Sequence, residues 1–172
     1  MSAIDKIISL ADGFRSLYGN EDKYSFDDMK AALSGLNIKN CFDEGQSYDS
    51  ATDTGTSKEL TGLTLASWNN YLCGKNVIIS CDINWSGLKV SESQGKVGVE
   101  FQTLTTDGKR HWNNCWCFPK TESGTTHAVS EQSLSGVPAK QIVNCDIYNL
   151  VDAASVKISN IKMVVNPMGG GK

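Results

Sequence analysis

The stretch Arg110-His111-Trp112-Asn113-Asn114-Cys115-Trp116-Cys117-Phe118-Pro119 holds two of the four tryptophans, two of the six cysteines and one of the two histidines. Read as a strand, it alternates: Trp112, Asn114, Trp116 and Phe118 fall on one face, and His111, Asn113, Cys115 and Cys117 on the other. The aromatic face reads as core, with Trp116 and Phe118 buried. The other face offers the ring and amide groups of a binding surface, with His111 and Asn113 as its candidates. Trp112, at the strand's start, stands beside them.

Outward from this strand, the same period of two recurs. Thr106-Asp107-Gly108-Lys109 carries Asp-Gly at its centre and predicts a hairpin turn. Before it, Lys96 to Leu104 turns Val97, Val99 and Phe101 inward and Glu100 and Gln102 outward. Asn76 to Trp85 is the clearest strand: Val77, Ile79, Cys81, Ile83 and Trp85 share one face, and Ser80, Asp82 and Asn84 the other. After the quoted stretch, Ser123-Gly124 marks a turn and Thr125 to Gln132 a polar strand. Val143, Cys145 and Ile147 then alternate with Asn144, Asp146 and Tyr148. Val156 to Val165 is the last strand. About eight strands with regular turns and no intervening helix predict an antiparallel sandwich or barrel.

The first fifth of the chain is different. Ile4, Ile7, Ile8, Ala11, Phe14 and Leu17 recur at helical spacing, and Gly19-Asn20 ends the pattern. Ser25 has the character of an N-cap for a second helix, whose apolar stripe is Met29, Ala32, Leu33 and Leu36. Two helices this short bury too little to stand alone. Their stripes require a partner surface, which makes the segment an adaptor or assembly element. Residues 37 to 58 are rich in Asn, Asp, Gly, Ser and Thr and read as a linker or entry loop. The expected division is a helical hairpin at 1–38, a β-sandwich at 39–167 and a flexible Gly-rich end at 168–172.

Totals narrow the function. The chain has 172 residues, 40% of them hydrophobic, and a net charge of −3. There is no basic run to hold nucleic acid and no apolar run near the roughly 20 residues a bilayer span needs. The first apolar positions are interrupted by Asp5, Lys6 and Asp12, unlike a signal peptide, so synthesis and folding in a cytoplasm are expected. The cysteines lack zinc-ligand spacing: Cys115-x-Cys117 is too tight and the others stand alone. They read as reduced, small apolar residues, so no metal and no cofactor are expected.

Catalysis has little to stand on. No nucleophile elbow and no phosphate loop are present. Asp82 and Glu100 are the available carboxylate pair for a glycosidase, set against an ordinary solvated sheet face. Binding fares better. Sugars are held by aromatic rings against their C–H faces and by amides and carboxylates on their hydroxyls. Asp82, Asn84, Glu100, Gln102, His111, Asn113, Asn144, Asp146 and Tyr148 are candidates for one contiguous polar patch. That patch is rich in acids and amides and poor in Lys, which suits a neutral saccharide better than a polyanion. Trp112 and Trp68, the latter in the polar run Ser67-Trp68-Asn69-Asn70-Tyr71, are either exposed stacking platforms or rings capping the sandwich end.

Two resemblances extend this reading. Leu10-Ala11-Asp12, Phe14-Arg15, Gly19, Tyr24-Ser25 and Met29 resemble a helical segment common in tail-fibre and baseplate proteins of phages and prophages. Further on, the strand with Ser80-Cys81-Asp82-Ile83, then Gly98-Val99-Glu100-Phe101, Gly124-Thr125-Thr126-His127 and Val137-Pro138, and finally Ile158-Ser159-Asn160-Ile161-Lys162-Met163, are similar to jelly-roll carbohydrate-binding modules. The last run looks closest to copies carried by phage tail proteins. Ser159 stands where enzyme-linked modules often carry an acidic calcium ligand, and a hydroxyl is a poor substitute. The resemblance implies an antiparallel jelly-roll β-sandwich behind a short two-helix N-terminal segment. It also implies a non-enzymatic receptor-binding component of a phage virion that adheres to a bacterial surface saccharide. Its partners would be other phage tail proteins and further copies of itself, a trimer being the usual form. The rival reading is a purely structural tail or baseplate module that binds only proteins.

Overall fold

The structure, a computed structural model, describes residues 40–89 and 95–166. The expected helical hairpin at 1–38 and the Gly-rich end at 168–172 lie outside the described residues. Among the described residues eight strands follow one another: β1 (Tyr48–Asp49), β2 (Ser57–Glu59), β3 (Asn76–Leu88), β4 (Val97–Thr105), β5 (Arg110–Cys117), β6 (Gly124–Ser133), β7 (Ala139–Asn149) and β8 (Ala153–Val165). They form two four-stranded antiparallel sheets, ordered β1-β8-β3-β6 and β2-β7-β4-β5. First pairs with last, second with second-last, and so inward to the hairpin β4–β5. The chain is thus one long hairpin rolled so that successive pairs fall in alternate layers, which is the jelly-roll arrangement.

Alternation builds the core between the layers. From the first sheet come Val77, Ile79, Cys81 and Ile83 of β3, with Val156, Ile158, Ile161 and Met163 of β8. The second contributes Val97, Val99 and Phe101 of β4, Cys115 of β5, and Cys145 and Ile147 of β7. The Asp-Gly turn forms where expected, with Gly108 at φ 84° and its N–H donating to Thr105 O. A positive φ is inexpensive only without a Cβ. At the other margin Asn40 acts as a clamp: its Oδ1 accepts from the Met163 N–H and its Nδ2 donates to Ile161 O, while the Cys41 N–H donates to Met163 O.

Three expectations are corrected. First, the strands are interrupted by a helical turn. Thr64 and Ser67 cap each other reciprocally at the start of α1 (Leu65–Ser67), which runs into a π-helical turn at Trp68–Leu72. Asn69 fixes this turn to β7 through paired bonds with the backbone N–H and carbonyl of Ala139. Second, Trp68 is not a platform. It is fully buried and packs edge-on against Phe101, with ring centroids 5.7 Å apart. Third, β5 has the right period and the opposite phase. Cys115 and Asn113 are buried, Trp112 is 57% exposed, Trp116 is half-buried, and Phe118, expected in the core, is 48% exposed.

Trp68→Ala is expected to lower the unfolding free energy by about 3–5 kcal/mol in urea denaturation, the cost of emptying a large buried aromatic site. Trp112→Ala should stay within about 0.5 kcal/mol of the parent, as exposed substitutions do.

Candidate functional site

The outer face of the β2-β7-β4-β5 sheet is organised in rows by strand register. One row is Trp116, Gly98, Tyr148 and Ser57, taken across β5, β4, β7 and β2. The next is Asn114, Glu100, Asp146 and Glu59, and the third is Trp112, Gln102 and Asn144. Rows two residues apart along a strand are separated by about 7 Å. An exposed indole therefore stands at one end, an aromatic pair at the other, and carboxylates and amides between them.

Several of the polar groups are held in place. Asn144 Nδ2 donates to the Tyr148 hydroxyl at 3.1 Å, and that hydroxyl donates to Asp146 Oδ2 at 3.2 Å. Partial burial, then the Asp146 carboxylate, pushes the Tyr148 phenol above its ordinary value. Arg110 Nη1 donates to Gln102 Oε1 at 3.1 Å, and Gln102 is covered to 5% exposure. Lys96 lies with its Nζ 4.1 Å from the centroid of the Trp116 ring and 3.8 Å from Glu100 Oε2. Trp116 and Tyr148 approach to 5.8 Å between centroids, tilted by 58°. Both flank Gly98, whose added Cβ would lie 2.0 Å from the Cys115 carbonyl oxygen. Only glycine lets β4 and β5 come this close with the two rings on either side.

Of the nine expected site residues, the fold brings four to this face: Gln102, Trp112, Asp146 and Tyr148. Glu100 and Asn144, from the same expected patch, join them. His111 and Asn113 do not, because they occupy the inward phase of β5; Asn113 is 4% exposed, and His111 is half-buried opposite the buried Thr103. Trp68 is core. Asp82 and Asn84 lie on the outer face of the other sheet, with the sandwich between them and Trp112. There, Asp82 accepts from Asn160 Nδ2 at 2.6 Å and lies 2.6 Å from His127 Nδ1. The Asn160 bond, then the His127 contact, holds the Asp82 carboxyl below the usual carboxylate range. Asn160 sits at φ 52°, where the register of β8 on β3 shifts. Asp82 and Glu100 face away from each other and cannot flank one glycosidic bond.

Trp116, Asn114 and Lys96 were absent from the expected site. The signal for them was the hairpin. A four-residue connection from Thr105 to Arg110 sets Phe101 opposite Asn113 and Gln102 opposite Trp112. With Phe101 inward, both indoles of β5 must face out.

Neither family models nor curated proteins match the sequence. Among solved structures, the C-terminal family 22 carbohydrate binding module of Clostridium thermocellum Xyn10B is weakly similar, with a TM-score of 0.36 and 12% identity. The alignment covers 57% of this chain and 59% of that one, so the match spans under two thirds of the relative's length. Among the described residues no group of three or more His, Cys, Asp or Glu is placed to hold a metal ion. No helix among them is long and apolar enough to cross a membrane.

The Tyr148 phenol provides a test of the polar network. Its ultraviolet titration should lie above the ordinary value of about 10, and Asp146→Asn should bring it down. The sign follows from linkage: a phenol whose folded pKa is raised favours folding below the unfolded value, and that contribution fades as pH rises through the folded one. An unchanged titration in Asp146→Asn would show that the carboxylate is not a cause of the shift.

Proposed function

We propose that this chain is a non-catalytic carbohydrate-binding module whose saccharide site is the outer face of the β2-β7-β4-β5 sheet. The observation that carries this reading is Trp112. Its ring is more than half exposed on a sheet face whose neighbouring rows are amides and carboxylates. A flat apolar surface beside directional hydrogen-bonding groups fits a pyranose, which has one C–H face and an equatorial ring of hydroxyls. Glu59, Glu100 and Asp146 on the same face disfavour a polyanion through like-charge repulsion.

The natural context we propose is a phage tail or baseplate, with a bacterial surface glycan as the ligand. Support for this comes from the N-terminal segment's resemblance to tail-fibre and baseplate helices. The function is reversible adhesion, in which several copies on one virion raise the avidity of a weak single site. A homotrimer, with other tail proteins as neighbours, suits that role.

Binding of host wall polysaccharide and of a neutral oligosaccharide panel, measured by calorimetry, tests the reading. Trp112→Ala is expected to weaken binding about tenfold or more, since a stacked ring contributes on the order of 1.4 kcal/mol. Asp82→Asn, on the opposite sheet, should leave it unchanged. Failure of every saccharide to bind, or indifference to Trp112→Ala, would leave the protein-only structural module as the better account. Release of reducing sugar that stops on Glu100→Gln would make the chain an enzyme instead.

A further inference from the structure

The aromatic end of the same face has a feature that a neutral sugar does not explain. On the outer side of β4 the order is Lys96, Gly98, Glu100. The Lys96 ammonium lies 4.1 Å from the Trp116 ring centroid and 3.8 Å from Glu100, and Gly98, between Lys96 and Glu100 in this order, adds no side chain to the face. Tyr148 closes the opposite side of Gly98, and its hydroxyl is tied to Asp146. Two aromatic rings, a side-chain-free floor and two carboxylates form a box for a cation, with the Trp116 ring as the face that the Lys96 ammonium lies over. The box already holds one, supplied by the chain itself.

We propose that this box is a subsite for the ammonium of an unacetylated amino sugar, and that Lys96 is its built-in competitor. The inference rests on the saccharide reading of this sheet face and narrows its ligand to a glycan carrying free amines. Charge supports it: Glu59, Glu100 and Asp146 outnumber Lys96 and Arg110, the latter bonded to Gln102 two rows away, so an incoming ammonium meets excess negative charge after Lys96 withdraws. Anchoring supports it too. The Lys96 carbonyl accepts from the Leu150 N–H at 2.9 Å, and an added Cβ at Gly95 would lie 2.3 Å from the Leu150 carbonyl oxygen. The backbone at 95–96 is therefore fixed, and only the flexible lysine side chain has to swing away. A sugar is preferred over a lysine-bearing protein because the next rows, about 7 Å and 14 Å along the sheet, offer hydroxyl-binding groups and then the open Trp112 ring.

Calorimetry with a glucosamine trisaccharide and its fully N-acetylated counterpart tests the proposal on the full chain. The free-amine trimer is expected to bind about tenfold more tightly, the scale of a partly desolvated cation–π contact. K96A should widen that ratio several-fold by removing the competitor, and E100Q should narrow it. The preference should vanish as pH rises through the sugar amine's pKa. Thermal unfolding of each variant establishes that it is folded, and both substitutions are at partly exposed positions. Equal affinity for the two trimers, a ratio unmoved or reduced by K96A, or no binding of either trimer would overturn the proposal. So would a trilysine peptide that binds more tightly than the sugar. The broader reading fails separately: it falls if Trp112→Ala is without effect on neutral glycans, whatever the amine preference.

Discussion

Which face of β5 turns inward is decided by the space available between the layers. β5 is the edge of its sheet, and it packs against β3 and β6 of the other sheet, where the chain crosses from layer to layer. Stacked sheets lie about 10 Å apart, and this margin is filled by Cys115 and Asn113 against Cys81 and its neighbours. Two indoles would overpack it. With the small residues inside, Trp112 and Trp116 are forced onto the outer face beside Glu100 and Asp146. The saccharide site we propose exists because of that choice, and a phase shift by one residue would remove it.

The strands were legible because their period is two and their punctuation is strong. Asn76 to Trp85, Lys96 to Leu104 and the Asp107-Gly108 turn each carry enough alternation to be placed from side-chain type alone. β1 and β2 were not legible: they are two and three residues long and sit in Ser-, Thr- and Asp-rich chain. They are strands because β8 and β7 pair with them, not because of local preference. Trp68 was misplaced for a similar reason. Its neighbours are polar, yet a capped helical turn aims the ring into the core. For β5 the rule that large aromatics lie inside gave the period correctly and the phase incorrectly. The hairpin register held the right answer.

The two outer faces of the sandwich have separate chemistry. On one, Asp82, His127 and Asn160 satisfy each other around a bulge. On the other, the rings and carboxylates leave open surface, and the Lys96 ammonium lies against one ring and one carboxylate. Gly98 links fold and site. The same absence of a side chain allows β5 to approach β4 in the row where Trp116 and Tyr148 flank it and where the Lys96 ammonium lies over Trp116.

The Asn40 clamp has a mechanical consequence. It holds the start of the described span to Ile161 and Met163, close to where that span ends at Asn166. Entry and exit therefore leave the sandwich side by side, at the same end of an antiparallel pairing. Tension applied through both ends would peel β1 from β8 one hydrogen bond at a time, the weakest loading geometry for a sheet. Tension between one end and a glycan held on β5 would instead be shared across the sheets. A sandwich of this topology would resist pull through a ligand on that face better than pull along its own chain.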